Sequence, residues 1–307
     1  ELTALEVPQL SKIVETIGNT GDTLIEASRE AIEAQLKKID AQGRPLYAYF
    51  LGKALGAGKG KETTNAEDLL NWVLETARSN RWMVAFGNSK TTPKTGDHAP
   101  EIDGYTGQNP AMHIAVLAVV IRRLNCNNFF PTDQGWVAQN HETRRQAQTI
   151  ADNEISFNPS SVFFGLEPDL LGEWFVLESI KRQHSYLNLL NLAWKSAPRS
   201  TAEFFVKIAR DFPHHPSTTE IFNSLPNEKD PVALKSYTEI ASTVFSYMDR
   251  QGANVPNGVI RVLLHASEQG NIEATTDLGV CFYYGLGVVQ NKSKALSLYE
   301  AAAAAGD

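Results

Sequence analysis

Cysteine is almost absent: Cys126 and Cys281 are far apart, and neither belongs to a Cys-x-x-Cys or Cys/His spacing. That excludes a disulfide framework and a thiolate zinc site. Long apolar runs are missing too. The best candidate, Met112 to Ile121, falls short of the roughly 18 to 20 residues a bilayer requires and is followed by Arg122 and Arg123. There is no surplus of positive charge. A formal charge of −7 and a pI near 5.6 argue against a nucleic-acid phosphate binder and make a basic protein the natural partner, although an acidic surface also serves solubility. No stretch alternates apolar and polar residues convincingly enough to read as a strand.

What is present is helical periodicity. With 307 residues, 42% hydrophobic and 21% charged, the chain is globular in composition and long enough for two domains or one solenoid. Apolar residues recur at three- and four-residue spacings in Thr23–Ala41, Asp68–Ala77, Pro110–Leu124, Leu171–Ala193, Ala202–Phe212 and Val232–Met248. In the last of these Leu234, Tyr237, Ala241, Val244 and Met248 form one stripe, with Lys235, Glu239 and Ser246 off it. Joints fall at Gly18-Asn19, Gly43-Arg44-Pro45, Ala197-Pro198 and Gly252. Two stretches are instead long and irregular, residues 86–109 and 125–136; such loops carry function or are disordered.

An internal repeat organises the rest. Leu278-Gly279, five residues, Gly285, one residue and Gly287 is matched by Leu51-Gly52, five residues, Gly58, one residue and Gly60. Twelve residues after the last glycine stands Tyr299 in one copy and Trp72 in the other, and Gly43 occupies the place of Gly270. The physical reading is a helical hairpin. Gly52 or Gly279 lets a facing helix approach closely, the G-x-G turn reverses the chain, and Ala302 and Ala303 leave room for stacking.

The C-terminal copy resembles a Sel-one-like repeat, the tetratricopeptide-related hairpin of about 36 residues that stacks into a curved solenoid. Ala274, Leu278, Gly279, Tyr284, Gly285, Gly287, Val288, Lys294, Ala295, Tyr299, Ala302, Ala303 and Gly306 all fall on its pattern. The copy at 44–79 is a divergent relative in which Glu75-Thr76 replace the paired alanines. A degenerate unit at 235–270 keeps the phase through Ala266 and Gly270 without the glycine signatures. The expected fold is all-α, with helical-hairpin repeats of an α-solenoid flanking a less regular helical middle region. Its parts would be 1–84, an irregular region 85–230 that is either eroded repeats or an inserted domain, and 231–307 with the clear repeat at 271–306.

Motifs for chemistry are weak throughout. GAGKGKET at Gly56–Thr63 misses the phosphate-loop spacing and follows a helix where a strand is needed. Lys94-Thr95-Gly96 matches a β-lactamase tripeptide, but no serine has a lysine three residues later. Asp97, His98, Glu101 and Asp103 crowd one loop without EF-hand spacing, His141-Glu142 has no second histidine at metalloprotease spacing, and His214-His215 sits between prolines in a turn. No catalytic residue, metal or cofactor is therefore expected. Tyr105, Phe129, Phe130 and Trp136, in or beside the long irregular segments, anchor either in the body of the protein or in a partner and are the candidate contacts.

The resemblance implies a non-catalytic scaffold or adaptor that holds a protein partner, extending by fold analogy to an inhibitor or immunity-type protein covering the basic cleft of a secreted effector, in a bacterial periplasmic or envelope setting. Two alternatives stand beside it: an envelope enzyme acting on peptidoglycan or a β-lactam through 82–230, and a portion of a membrane-anchored organiser, since another repeat would begin after Gly306-Asp307.

Overall fold

The computed structural model describes residues 5–19, 25–40, 42–60, 62–77, 110–125, 162–164, 166, 169–182, 186–225, 231–250 and 252–306. Tyr105, Phe129, Phe130 and Trp136 lie outside them, as do the carboxylate loop at 97–103, the 94–96 tripeptide, His141-Glu142 and Cys126. The chain divides into two compact units, Glu1–Lys90 and Thr91–Asp307. Thirteen helices and one short two-stranded ribbon make up the regular structure of the described residues, so the fold is all-α.

The first unit holds α1 (Val7–Gly18), α2 (Arg29–Ile39), α3 (Pro45–Gly56) and α4 (Ala66–Ala77). Local chemistry sets the starts. A capping box between Glu6 and Gln9 opens α1, the Ser28 hydroxyl accepts the Ala31 N–H at 3.3 Å to open α2, and Pro45 opens α3 where its missing N–H costs nothing. Asp40 ends α2 and turns the chain by accepting the Arg44 N–H at 2.6 Å and pairing with its guanidinium at 3.1 Å. Leu10, Val14, Ile32, Leu36, Tyr47, Leu51, Leu69 and Leu70 fill the core. The closest helix pairing is α1 on α3, where Gly52 and Gly56 face α1. A Cβ at Gly52 would stand 2.9 Å from the Val14 carbonyl, and one at Gly56 would stand 2.7 Å from that of Gly18. Small residues four apart let the two backbones meet.

The second unit begins with α5 (Pro110–Ile121), β1 (Arg123–Asn125) and β2 (Val162–Phe164), the strands pairing antiparallel with Leu124 opposite Phe163. Next come α6 (Asp169–Arg182), α7 (Leu187–Ser196), α8 (Pro198–Asp211) and α9 (Pro216–Asn223). The single helix expected over 171–193 is thus two helices, α6 and α7, with Tyr186 buried just before the second. Aromatic rings knit this part together: Trp194 lies 5.1 Å from Phe205 and 5.0 Å from Tyr237, and Phe205 lies 5.3 Å from Phe222, with tilted or edge-on geometry. The unit ends in α10 (Pro231–Arg250), α11 (Asn257–Glu268), α12 (Ile272–Tyr284) and α13 (Lys292–Ala305), each packed on the next, with α10 also touching α12. Tyr237, Ala241, Val244 and Met248 are all buried on α10 while Glu239 and Ser246 are exposed, so the stripe faces inward.

Candidate functional site

The hairpin of α12 and α13 is built by five local devices. The Asn271 side chain caps α12 by accepting the Ala274 N–H at 2.8 Å. Gly279 brings the two helices together, because a Cβ there would stand 2.6 Å from Cε1 of Tyr299. Gly285 ends α12 in the left-handed region at φ +78°, which a side chain would strain. The loop folds back as the Asn291 N–H donates to the Phe282 carbonyl at 2.8 Å and the Gln290 amide donates to that of Tyr283 at 2.8 Å. Asn291 then caps α13 through the Lys294 N–H at 3.0 Å. Gly287, at φ +68°, lies against the Val255 carbonyl in the α10–α11 joint, which seats this loop on the preceding helix pair.

Two surfaces of the molecule stand out. At the turn of this hairpin Tyr284 is 65% exposed and Val289 89%, unusual for large apolar side chains. In the first unit, an open groove of about 510 Å³ runs along α4 beside the half-buried Trp72. Among the described residues its rim carries the carboxylates of Glu62, Asp68 and Glu75 and the ammonium of Lys59, which pairs with Glu62 at 2.9 Å. Asp68 is held in place by the Thr64 hydroxyl at 2.7 Å.

Residues 272–307 match the family model of the Sel1 repeat. The chain carries a Sel1 repeat. Such repeats generally mediate protein–protein interaction. None of the curated proteins and none of the solved structures compared with the chain matches it.

The N-terminal copy shares helix boundaries with the Sel1 hairpin but packs differently. Pro45 stands to Ile272 as Gly52 stands to Gly279; α3 begins and ends, and α4 begins, within one residue of the positions the register assigns. Yet the atoms nearest a Cβ at Gly52 belong to Val14 and Ile17 of α1, whereas those nearest Gly279 belong to Tyr299 of its own hairpin. Trp72 lines the groove instead. Gly58 keeps the positive φ of its counterpart at +73°, and Gly60 lies against the Leu55 side chain while its carbonyl accepts the Gln35 amide at 3.1 Å.

Buried ionisable groups escaped the sequence reading. Glu173 on α6 is 2% exposed, with Lys207 of α8 at 3.9 Å. Burial, and then the negative charge of Asp211, push its pKa up to about 8, so it holds a proton at neutral pH. One turn on, burial also works against the charge of Glu178, but hydrogen bonds from His215 and Lys181 outweigh it and hold the carboxyl at about 2. His215 is the N-cap of α9: Nδ1 accepts the Ser217 N–H at 3.2 Å, Nε2 lies 3.2 Å from Glu178 Oε1, and the ring sits edge-on to Trp174 at 4.9 Å. At 3% exposure the histidine is buried, and it serves as the N-cap of α9 and the hydrogen-bond partner of Glu178. Among the described residues no cluster of histidine, cysteine or carboxylate side chains is arranged to hold a metal, and no helix is long and apolar enough to cross a membrane.

Proposed function

We propose that the protein is a scaffold that holds a basic segment of a protein partner, with the groove beside Trp72 receiving a lysine or arginine side chain. The observation that carries this reading is that, among the described residues, Trp72 lines an open groove together with the carboxylates of Asp68 and Glu75 and the Lys59–Glu62 pair. A cation over an indole face gains about 0.5 to 2 kcal/mol, more as water is excluded. The carboxylates and the net charge of −7 attract such a segment from a distance. Extended to a whole partner, the same acidity suits an inhibitor that covers the basic cleft of a secreted effector. Tyr105, Phe129, Phe130 and Trp136 are further contact candidates on this reading.

A titration of the full chain with fluorescein-labelled lysine- and arginine-rich peptides tests it. Trp72→Ala should weaken binding about tenfold, or about 1.4 kcal/mol, and Trp72→Phe much less. Equal affinity of Trp72→Ala and the unmodified chain sinks the groove as the site. Phe130→Ala, measured in the same titration, separates the long loop from the groove.

A further inference from the structure

The turn of the Sel1 hairpin carries the opposite electrostatic signature. From Leu278 to Tyr299 the only charged residues are Lys292 and Lys294, in a chain whose net charge is −7. The acids that bracket this stretch, Asp277 and Glu300, lie further down their helices, about two turns before Tyr284 on α12 and one turn past Leu296 on α13. Around the lysines the surface is apolar. Tyr284, Val289 and Leu296 are 65%, 89% and 58% exposed, and the Tyr283 and Tyr284 rings meet edge to face at 4.8 Å. Lys294 sits 4.1 Å over the Phe282 ring and Lys292 5.5 Å over that of Tyr283, so both ammonium groups are held beside the apolar side chains.

The placement of the lysines is itself informative. Both occupy the first turn of α13, where the helix dipole presents positive charge and favours carboxylates, and that turn contains no acid. They therefore work against the helix that bears them. Lys294 falls on the repeat's own pattern, so it is Lys292 that a helix start optimised for folding alone would replace with an acid.

The geometry points to this turn as a second docking surface, one that takes an acidic partner segment with apolar anchors, its carboxylates on Lys292 and Lys294 and its aliphatic or aromatic side chains on Tyr284, Val289 and Leu296. Charge complementarity selects the occupant, and the exposed apolar area supplies the affinity. This surface is independent of the groove beside Trp72 and calls for the opposite charge, so each can fail alone.

The test is to pan a random-peptide phage library on the Trp72→Ala chain, so that peptides selected by the groove are not recovered, and to measure the enriched peptides on the parent, Lys292→Glu and Tyr284→Ala chains. Enriched peptides should combine net negative charge with aromatic or aliphatic anchors and bind Lys292→Glu and Tyr284→Ala at least tenfold more weakly. Their binding should be unchanged in Trp72→Ala. Lys292→Glu should melt at a temperature equal to or above that of the parent, because it corrects the dipole, which separates lost binding from lost folding. Enrichment of basic or neutral peptides, no enrichment, or full binding by Lys292→Glu overturns the proposal. Binding of the parent chain to phosphatidylserine vesicles that disappears in Lys292→Glu also overturns it, in favour of a membrane surface.

Discussion

Gly52 and Gly279 occupy the same place in a repeated pattern, begin from helices with matching boundaries, and yet serve different contacts. Gly279 faces a half-buried ring of its own hairpin, while Gly52 faces the Val14 carbonyl and the Ile17 side chain of a helix that precedes its copy. The same motif therefore closes a hairpin at one end of the chain and seats a neighbouring helix at the other. The two copies also differ four positions on. Gly56 extends the smooth surface of α3 so that α1 can lie along it, whereas the corresponding Tyr283 on α12 carries a ring that leaves no such track.

The largest effect expected from separating the two units is electrostatic, because the buried carboxyls with shifted pKa, Glu173 and Glu178, both lie in the second. Glu173 is raised from 4.5 to about 8, so the unfolded chain ionises first and the unit loses stability as pH climbs from about 4.5 to 8. Glu178 is lowered to about 2, so its contribution is present above about 4.5 and is lost as pH falls towards 2. Glu173→Gln removes the upper slope and should stabilise the unit at pH 8 by up to a few kcal/mol, with little change near pH 4. Hydrogen exchange followed by mass spectrometry reads this in α6 and α8, with peptides from α1 to α4 as the internal reference. A melting profile of Glu173→Gln that keeps the parent's decline between pH 4.5 and 8 would rule the assignment out.

The next effect tests the glycines directly. Gly52→Ala forces a methyl group against the Val14 carbonyl, and backbone cannot swing away, so even after the gain of about 1 kcal/mol of helix propensity a net loss of about 2 kcal/mol is expected in the first unit. Truncating Ile17 to Ala as well should recover little of it, since the carbonyl remains. Protection of α3 amides in hydrogen exchange is the readout; a Gly52→Ala chain as well protected as the parent would mean that α1 and α3 do not meet as described.

How much of this was legible beforehand depends on the range over which each feature is written. The Sel1 hairpin is local: its caps, turn glycines and close-approach glycine all fall within 36 residues, so pattern and structure coincide. Periodicity, by contrast, reports faces and not breaks. It ran α6 and α7 together across the polar run 181–185, and it missed a ribbon whose strands are three residues each, too short to show alternation. Glu173 and Glu178 were hidden because α6 is buried on every side from Leu170 to Ile180, where a one-faced stripe was assumed. His215 and Glu178 are 37 positions apart, and nothing in either neighbourhood names the other. The groove depends on where α4 goes after the turn, which the repeat register alone does not state.

A smaller effect is expected at Gly279, although the atoms of Tyr299 come even closer to it. Alanine there clashes with a half-buried ring that can turn outward, and it gains about 1 kcal/mol of helix propensity, leaving a net loss of about 1 to 2 kcal/mol. Adding Tyr299→Ala should cancel most of the clash, so the two substitutions combine to less than their sum. Strict additivity in a double-mutant cycle of denaturant melts would show that the contact between them is not what holds the hairpin closed.

The smallest difference should come from a feature the two copies share. Each places an asparagine at the start of its second helix: Asn65 accepts the Asp68 N–H at 2.9 Å, and Asn291 accepts the Lys294 N–H at 3.0 Å. Replacing either with alanine removes one capping bond and should cost about 1 kcal/mol, with the two losses equal within experimental scatter. Equality would mean that the copies share their local helix-start chemistry and diverge only in how the helices pack. If Asn65→Ala costs clearly less, the divergence reaches into the helix start itself, and the groove along α4 rests on a less firmly anchored helix than the Sel1 hairpin does.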